Sequence, residues 1–194
     1  MIQRKIEKKS LLIRAAREVL GRYGFKKTTL DDIAEKAGMA KTSIYYYFKS
    51  KKGILIAVAQ MELTKMMDTM RDAVENATTP EKKLRGLVRA RYNYLQEIKS
   101  TPGLNLEKLQ EMTSMVRSER ERFLGAEIEL IKEVILDGVR KNVFEVKDPE
   151  LFALISISAM RGIDDTFMLY GKHERITEGI EGQMNIIING IKKR

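Results

Sequence analysis

The chain has no cysteine, no tryptophan, a single histidine and only three prolines among its 194 residues. Without cysteine there is no disulfide framework and no thiolate metal site. The one histidine, His173, stands in a Gly-Lys-His-Glu stretch that reads as a solvated loop. No nucleophile motif, phosphate loop or metal-ligand spacing appears, so no enzyme, cofactor or metal is expected. Long apolar runs are also missing: none approaches the ~18 to 20 residues that cross a bilayer. The opening Met-Ile-Gln-Arg-Lys leads into charged amphipathic sequence and not into an apolar signal region. A cytoplasmic location, with no membrane partner, is the expectation.

What is present is positive charge, and it is placed unevenly. Lys and Arg number 36 against 27 Asp and Glu, a net charge of +9. Residues 1–52 hold 14 basic and 5 acidic residues, which leaves 22 of each sign in the rest of the chain. All the excess charge therefore sits in the first quarter, as in a polyanion-binding module joined to an electrically balanced domain. Hydrophobic residues make up 43%, enough for a packed core.

Apolar residues recur every three or four positions almost throughout, and period-two alternation is absent beyond a few residues. Leu12, Ala15, Ala16, Val19, Leu20 and Tyr23 form the first such stripe. Thr79-Pro80-Glu81 and Asp148-Pro149-Glu150 each read as a cap, a proline at the first helical position and an acid in the first turn. Ser100-Thr101-Pro102-Gly103 marks a further break. The pattern predicts an all-α chain of about nine helices: Arg4–Tyr23, Leu30–Ala37, Lys41–Phe48, Lys51–Asn76, Pro80–Lys99, Leu104–Val116, Glu119–Arg140, Pro149–Tyr170 and Ile176–Lys192.

Residues 28–48 read TTLDDIAEKAGMAKTSIYYYF. Thr29 and Asp32 have the spacing of a reciprocal capping pair. Ile33, Ala34 and Ala37 give the short helix its buried side, and Gly38 can take the left-handed conformation that stops it. A second short helix follows from Lys41, with Ile44 and Phe48 on its inner face. Two short helices around a glycine-containing turn form a helix-turn-helix. Lys41, Thr42 and Ser43 occupy the first turn of the second helix, the part that meets base edges in a major groove. Tyr45, Tyr46 and Tyr47, then Lys49, Lys51 and Lys52, are suited to phosphate oxygens. Three adjacent tyrosines cannot share one face, and Tyr46 is expected to turn inward.

The run from Thr28 to Leu55 resembles the signature of the TetR family of bacterial regulators. Ile33-Ala34, Gly38, Tyr45-Tyr46-Tyr47-Phe48 and Lys49-Ser50-Lys51 match in kind and spacing. Ala15-Ala16, Gly21, Gly24 and Phe25 extend the match through the first helix. The position before Phe48, often His in the family, is Tyr47. The resemblance implies base contacts from Lys41, Thr42 and Ser43, and phosphate contacts from Thr29, Tyr45, Tyr47 and Lys51, with Lys52 beside the backbone. It also implies a DNA-binding domain at 1–50 and a helical ligand-binding and dimerisation domain at 51–194. The expected function is a homodimeric repressor, paired through Pro149–Tyr170 and Ile176–Lys192 and released from operator DNA by a small, largely apolar effector.

The ligand domain is less legible. Eleven methionines suit either an adaptable apolar cavity or an ordinary core. Met66, Met70, Tyr92, Met112, Met115, Phe123, Arg161 and Met168 are the candidate lining, with Arg91, Asp164 and Asp165 as further polar candidates. Two readings compete with a ligand-released repressor. A ligand-independent structural DNA-binding protein would need no large neutral bundle. A membrane-surface binder using Arg14, Arg17, Arg22, Lys26 and Lys27 would leave the helix-turn-helix spacing unexplained.

Overall fold

The structure is a computed structural model that describes residues 2–170 and 173–193, with the side chains of residues 2, 106, 109 and 163–178 outside the description. Among the described residues the chain forms nine helices: α1 (Ile2–Lys27), α2 (Leu30–Lys36), α3 (Lys41–Tyr47), α4 (Lys51–Glu75), α5 (Pro80–Lys99), α6 (Leu106–Met115), α7 (Arg117–Arg140), α8 (Pro149–Tyr170) and α9 (His173–Ile191). They group into two compact units, one of residues 1–64 and 96–121, the other of residues 65–95 and 122–194.

Chain punctuation sets the helix ends. α5 and α8 both start at their prolines, with Thr79 Oγ1 accepting from the Lys82 amide at 3.3 Å and Asp148 Oδ1 from the Leu151 amide at 2.9 Å. α1 runs past Tyr23 and is interrupted at Gly24, where φ is 80°. α6 starts two residues later than the apolar spacing suggests, because Asn105 caps it through the Lys108 amide at 2.9 Å. His173, expected in a loop, is the first residue of α9. Its side chain, with those of Asp164, Asp165, Phe167 and Met168, lies outside the described residues.

The first unit is built on the α1 stripe. Leu12, Ala15, Ala16, Val19 and Leu20 are buried, together with Ile33, Ala34 and Ala37 of the α2 segment, Ile44, Phe48, and Ile54, Leu55 and Val58 of α4. Each fully buried aliphatic side chain contributes ~1.5 to 3 kcal/mol. Tyr23 does not join this stripe: it is 43% exposed, with the Arg22 guanidinium 5.3 Å from its ring. Met112, Met115 and Val116 press on the same core, so α6 belongs with α1 and the helix-turn-helix.

The second unit buries Met66, Met67 and Met70 of α4, Leu84, Leu87 and Val88 of α5, Ile131, Val134 and Ile135 of α7, and Ile157 and Ile188 of α8 and α9. Phe144, in the α7–α8 loop, is wedged against Gly138, where an added Cβ would lie 2.0 Å from its ring. The loop is tied to the end of α9 by Glu145 N to Ile191 O at 2.7 Å and Lys193 N to Val143 O at 2.9 Å. No helix of the described residues is long and apolar enough to cross a membrane.

Candidate nucleic-acid interface and ligand cavity

The α2–α3 pair is held by its own termini. The Asp32 amide donates to Thr29 Oγ1 at 3.1 Å, and the Thr29 amide donates back to Asp32 Oδ2 at 2.7 Å. Hydrogen bonds from the Thr29 hydroxyl and amide hold the Asp32 carboxyl below the usual carboxylate range. At the other end Gly38 has φ 62°, its amide donates to Glu35 O, and the Met39 amide donates to Ala34 O. These two bonds are the 5→2 and 6→1 pair of a Schellman motif. A Cβ on Gly38 would touch nothing within 4 Å, so glycine is required there by the left-handed backbone and not by space.

The turn delivers α3 with one buried and one solvent face. Ile44 and Phe48 are buried, Tyr47 is partly buried against the same core, and Tyr45 and Tyr46 are exposed by 55% and 67%. Tyr47, and not Tyr46, is therefore the inward tyrosine, because it lies one turn beyond Ile44. Tyr46 meets the Tyr47 ring edge-on at 5.0 Å, and the Lys5 ammonium sits 4.8 Å from its centroid. Lys9 lies 5.7 Å from the Phe48 ring. Sequence reasoning did not single out Lys5 and Lys9, although the run Arg4-Lys5…Lys8-Lys9 carried the signal.

The remaining residues expected at DNA divide into two groups. Lys41, Thr42 and Lys52 are exposed and Ser43 is partly exposed. Lys41 Nζ donates to Asp31 Oδ2 at 2.7 Å, and that bond with the carboxylate charge holds its ammonium above the usual lysine range. Thr29 is exposed, yet its hydroxyl also donates to Asp32 Oδ2 at 2.7 Å. Lys51 is held within the protein: Nζ donates to Phe25 O at 2.6 Å and Thr28 O at 2.7 Å, and lies 3.4 Å from Lys26 O. It also stands 4.5 Å from the centre of the Phe25 ring, capping the C-terminal end of α1.

In the second unit a cavity of about 80 Å³ lies among α5, α7, α8 and α9, lined by Leu84, Arg91, Ile131, Phe152 and Met184 among others. Arg91 is 4% exposed. Its Nε donates to Glu127 Oε1 at 3.1 Å, and an Arg161 Nη donates to Glu127 Oε2 at 2.7 Å. Of the candidate ligand residues, Tyr92 lines this cavity. Met66 and Met70 are buried in the second unit, and Phe123 is partly buried on α7. Met112 and Met115 belong to the first unit, and Met168 lies outside the described residues. Within the first unit α6 packs on α1, and Met112 and Met115 press on the core built there. Among the described residues no group of His, Asp and Glu has the arrangement of a metal site.

Residues 12–58, spanning the latter part of α1, α2, α3 and the start of α4, match the family described as bacterial regulatory proteins, tetR family. The helix-turn-helix-type transcriptional regulator YhgD of Bacillus subtilis (strain 168) is 26% identical over 156 residues, 78% of this chain and 80% of its own. The fatty acid metabolism regulator protein of the same strain is 22% identical over 147 residues, covering 76% of this chain and 75% of its own. A solved transcriptional regulator from Cytophaga hutchinsonii shares the fold, with a TM-score of 0.80 over 95% of this chain and 98% of its own at 21% identity. Through residues 12–58 the chain matches the tetR family of bacterial regulatory proteins, and over about three quarters of its length it is similar to regulators of transcription, with the all-helical fold of the solved one.

Proposed function

We propose that the protein is a homodimeric cytoplasmic repressor that binds operator DNA through α3 and leaves it when a small, largely apolar ligand occupies the second unit. The observation that carries the reading is the solvent face of α3. Lys41, Thr42 and Ser43 stand in its first turn on a helix fixed at its back by Ile44, Tyr47 and Phe48. In the complex these three read base edges, while Thr29, Tyr45 and Lys52 hold phosphates. Lys51 serves the same surface from behind, by holding the end of α1. Lys5 and Lys9 join the phosphate-facing set.

Dimerisation is supported by the apolar surface of the last two helices. Leu151, Leu154 and Ile155 of α8 are exposed, as are Ile186 and Ile187 of α9, with Ile186 at 74%. Small residues beside them, Gly179, Gly182 and Gly190, have open space at their Cα atoms, which suits close helix packing. Two heads about one DNA turn (~34 Å) apart require such a pairing. The apolar cavity supports a ligand, and a relative named for fatty acid metabolism fits an apolar effector.

The test is fluorescence anisotropy against DNA from upstream of the gene and a scrambled duplex, at two salt concentrations. Preference for the upstream DNA by ~10³ or more is expected. Equal, steeply salt-sensitive binding to both would favour a ligand-independent structural protein, and no binding at low salt would refute the DNA-binding reading. Light scattering of the Ile155→Glu/Ile186→Glu variant, expected at half the native mass, tests the dimer.

A further inference from the structure

We infer that Tyr46 is a positioning residue for DNA binding, whose ring holds the Lys5 ammonium on the duplex-facing side of α3. This rests on the reading that α3 meets DNA. It goes beyond that reading by joining the start of α1 to the DNA surface through one aromatic side chain. Three observations carry it.

The first is the face. A helix turns by ~100° per residue, so the positions two before and two after the buried Ile44 point away from the core. These are Thr42 and Tyr46, four residues apart on one side of α3. Tyr46 is accordingly the more exposed of the two outward tyrosines. The second is a relay of contacts. Tyr47 is partly buried against the core of the first unit, and Tyr46 meets it edge-on with ring centroids 5.0 Å apart. The Lys5 ammonium in turn stands 4.8 Å from the Tyr46 centroid. Both separations lie within the attractive range of an aromatic pair and of a cation over a ring. The packed core thus reaches a surface lysine through two rings. Lys9, one turn further along α1, stands 5.7 Å from the Phe48 ring, so the same side of α1 leans on α3 twice.

The third observation is the pattern along α1. Positions 5, 9, 12 and 16 share one side of the helix. Leu12 and Ala16 are fully buried there, and Lys5 and Lys9 take over the same side, both exposed, where the helix outruns the apolar core. Among the described residues Lys5 meets the ring and no carboxylate, unlike Lys41, which donates to Asp31 at 2.7 Å. Its charge therefore stands ready for a phosphate. A lysine stem restrained by a ring also has less rotamer freedom left to lose when it binds.

The experiment is fluorescence anisotropy of the full chain and its variants over a range of salt, each variant's Tm being measured first. The probes are labelled DNA from upstream of the gene and a labelled scrambled duplex. Lys5→Ala is expected to lower the slope of log affinity against log salt by ~0.9, and the affinity for both duplexes by roughly eightfold at ~0.1 M salt. Tyr46→Ala removes no charge, yet is expected to weaken both complexes by ~two- to fivefold and to lower the slope in the same direction. Tyr46→Phe keeps the ring and is expected to bind as the native protein does, with the native slope. Lys5→Ala/Tyr46→Ala is expected to bind no more weakly than Lys5→Ala alone. A Tyr46→Phe protein as weak as Tyr46→Ala would overturn the inference, because the hydroxyl and not the ring would then be the active group. So would a native salt slope in Tyr46→Ala, or losses that add in the double variant. Native-like binding by Lys5→Ala would strike this inference alone and leave α3 as the DNA-binding element. Failure of the native protein to bind either duplex would refute that reading, and the inference with it.

Discussion

Replacing Lys51 by Met removes an ammonium that reaches carbonyls at the end of α1, while keeping most of the aliphatic stem. Two of its contacts are short, 2.6 Å to Phe25 O and 2.7 Å to Thr28 O, and the third, 3.4 Å to Lys26 O, adds little. A hydrogen bond from a charged donor contributes ~1.5 to 3 kcal/mol, and a cation at a helix C-terminus ~0.3 to 1 kcal/mol. Lys51 is only partly buried, so the combined loss is expected at ~2 to 3 kcal/mol. Urea unfolding followed by tyrosine emission reads it as a midpoint lowered by ~1 M with an unchanged slope. A second measurement separates this role from a phosphate contact. Each phosphate-neutralising lysine adds ~0.9 to the slope of log affinity against log salt. Lys51→Met is expected to leave that slope unchanged, under conditions where the variant is folded. Lys52→Ala is expected to lower it by about one while altering stability by less than ~0.5 kcal/mol. A Lys51→Met protein with native urea resistance and a salt slope reduced by one would refute the reasoning.

Gly138→Ala places a Cβ 2.0 Å from the buried Phe144 ring and is expected to cost ~3 kcal/mol or more; a melting temperature within ~1 °C of native would contradict the wedge. Thr29→Ala removes the acceptor of the capping box and is expected to destabilise the protein by ~1 kcal/mol in urea unfolding, while Thr29→Ser retains most of it. Asp137 accepts from Lys83 at 2.9 Å and from Lys141 at 3.0 Å, and these partners hold its carboxyl below the usual range. Its folded-state pKa is thus depressed, so its contribution is present above the unfolded carboxylate pKa of ~3.9 and lost as pH falls through the folded value. Asp137→Asn should be less stable than native by ~1 kcal/mol at pH 7 and equal to it near pH 2. An equal gap at both pH values would argue against the pair.

Local rules made most of the helix boundaries legible. The proline starts of α5 and α8, the Thr29–Asp32 box and the Gly38 turn need only a few neighbouring residues to specify them. Tyr47 was within reach of the same rules, since it lies three positions after Ile44, but three identical residues in a row conceal which one completes the stripe. Lys51 was not within reach. Its acceptors lie 23 to 26 residues upstream, a separation over which helical spacing says nothing of which carbonyls a lysine meets. The partners of the methionines were out of reach for a related reason. Helical spacing says which side of α6 is apolar but not which helix it meets, and Met112 and Met115 press on the core built on α1.

Lys41 is clasped by Asp31 before any duplex arrives, and both side chains are well exposed. In the proposed complex that clasp must open for the ammonium to reach a base, and Asp31 then stands close to the approaching polyanion. An arbitrary stretch of DNA offers phosphate attraction but no acceptor in the right place to replace the carboxylate, so the encounter stays brief. A matching site supplies that acceptor and prolongs it. If Lys41 reads a base as proposed, the aspartate acts as a filter on residence time during the search for the operator. Its removal should make the protein stickier everywhere and slower to find its target.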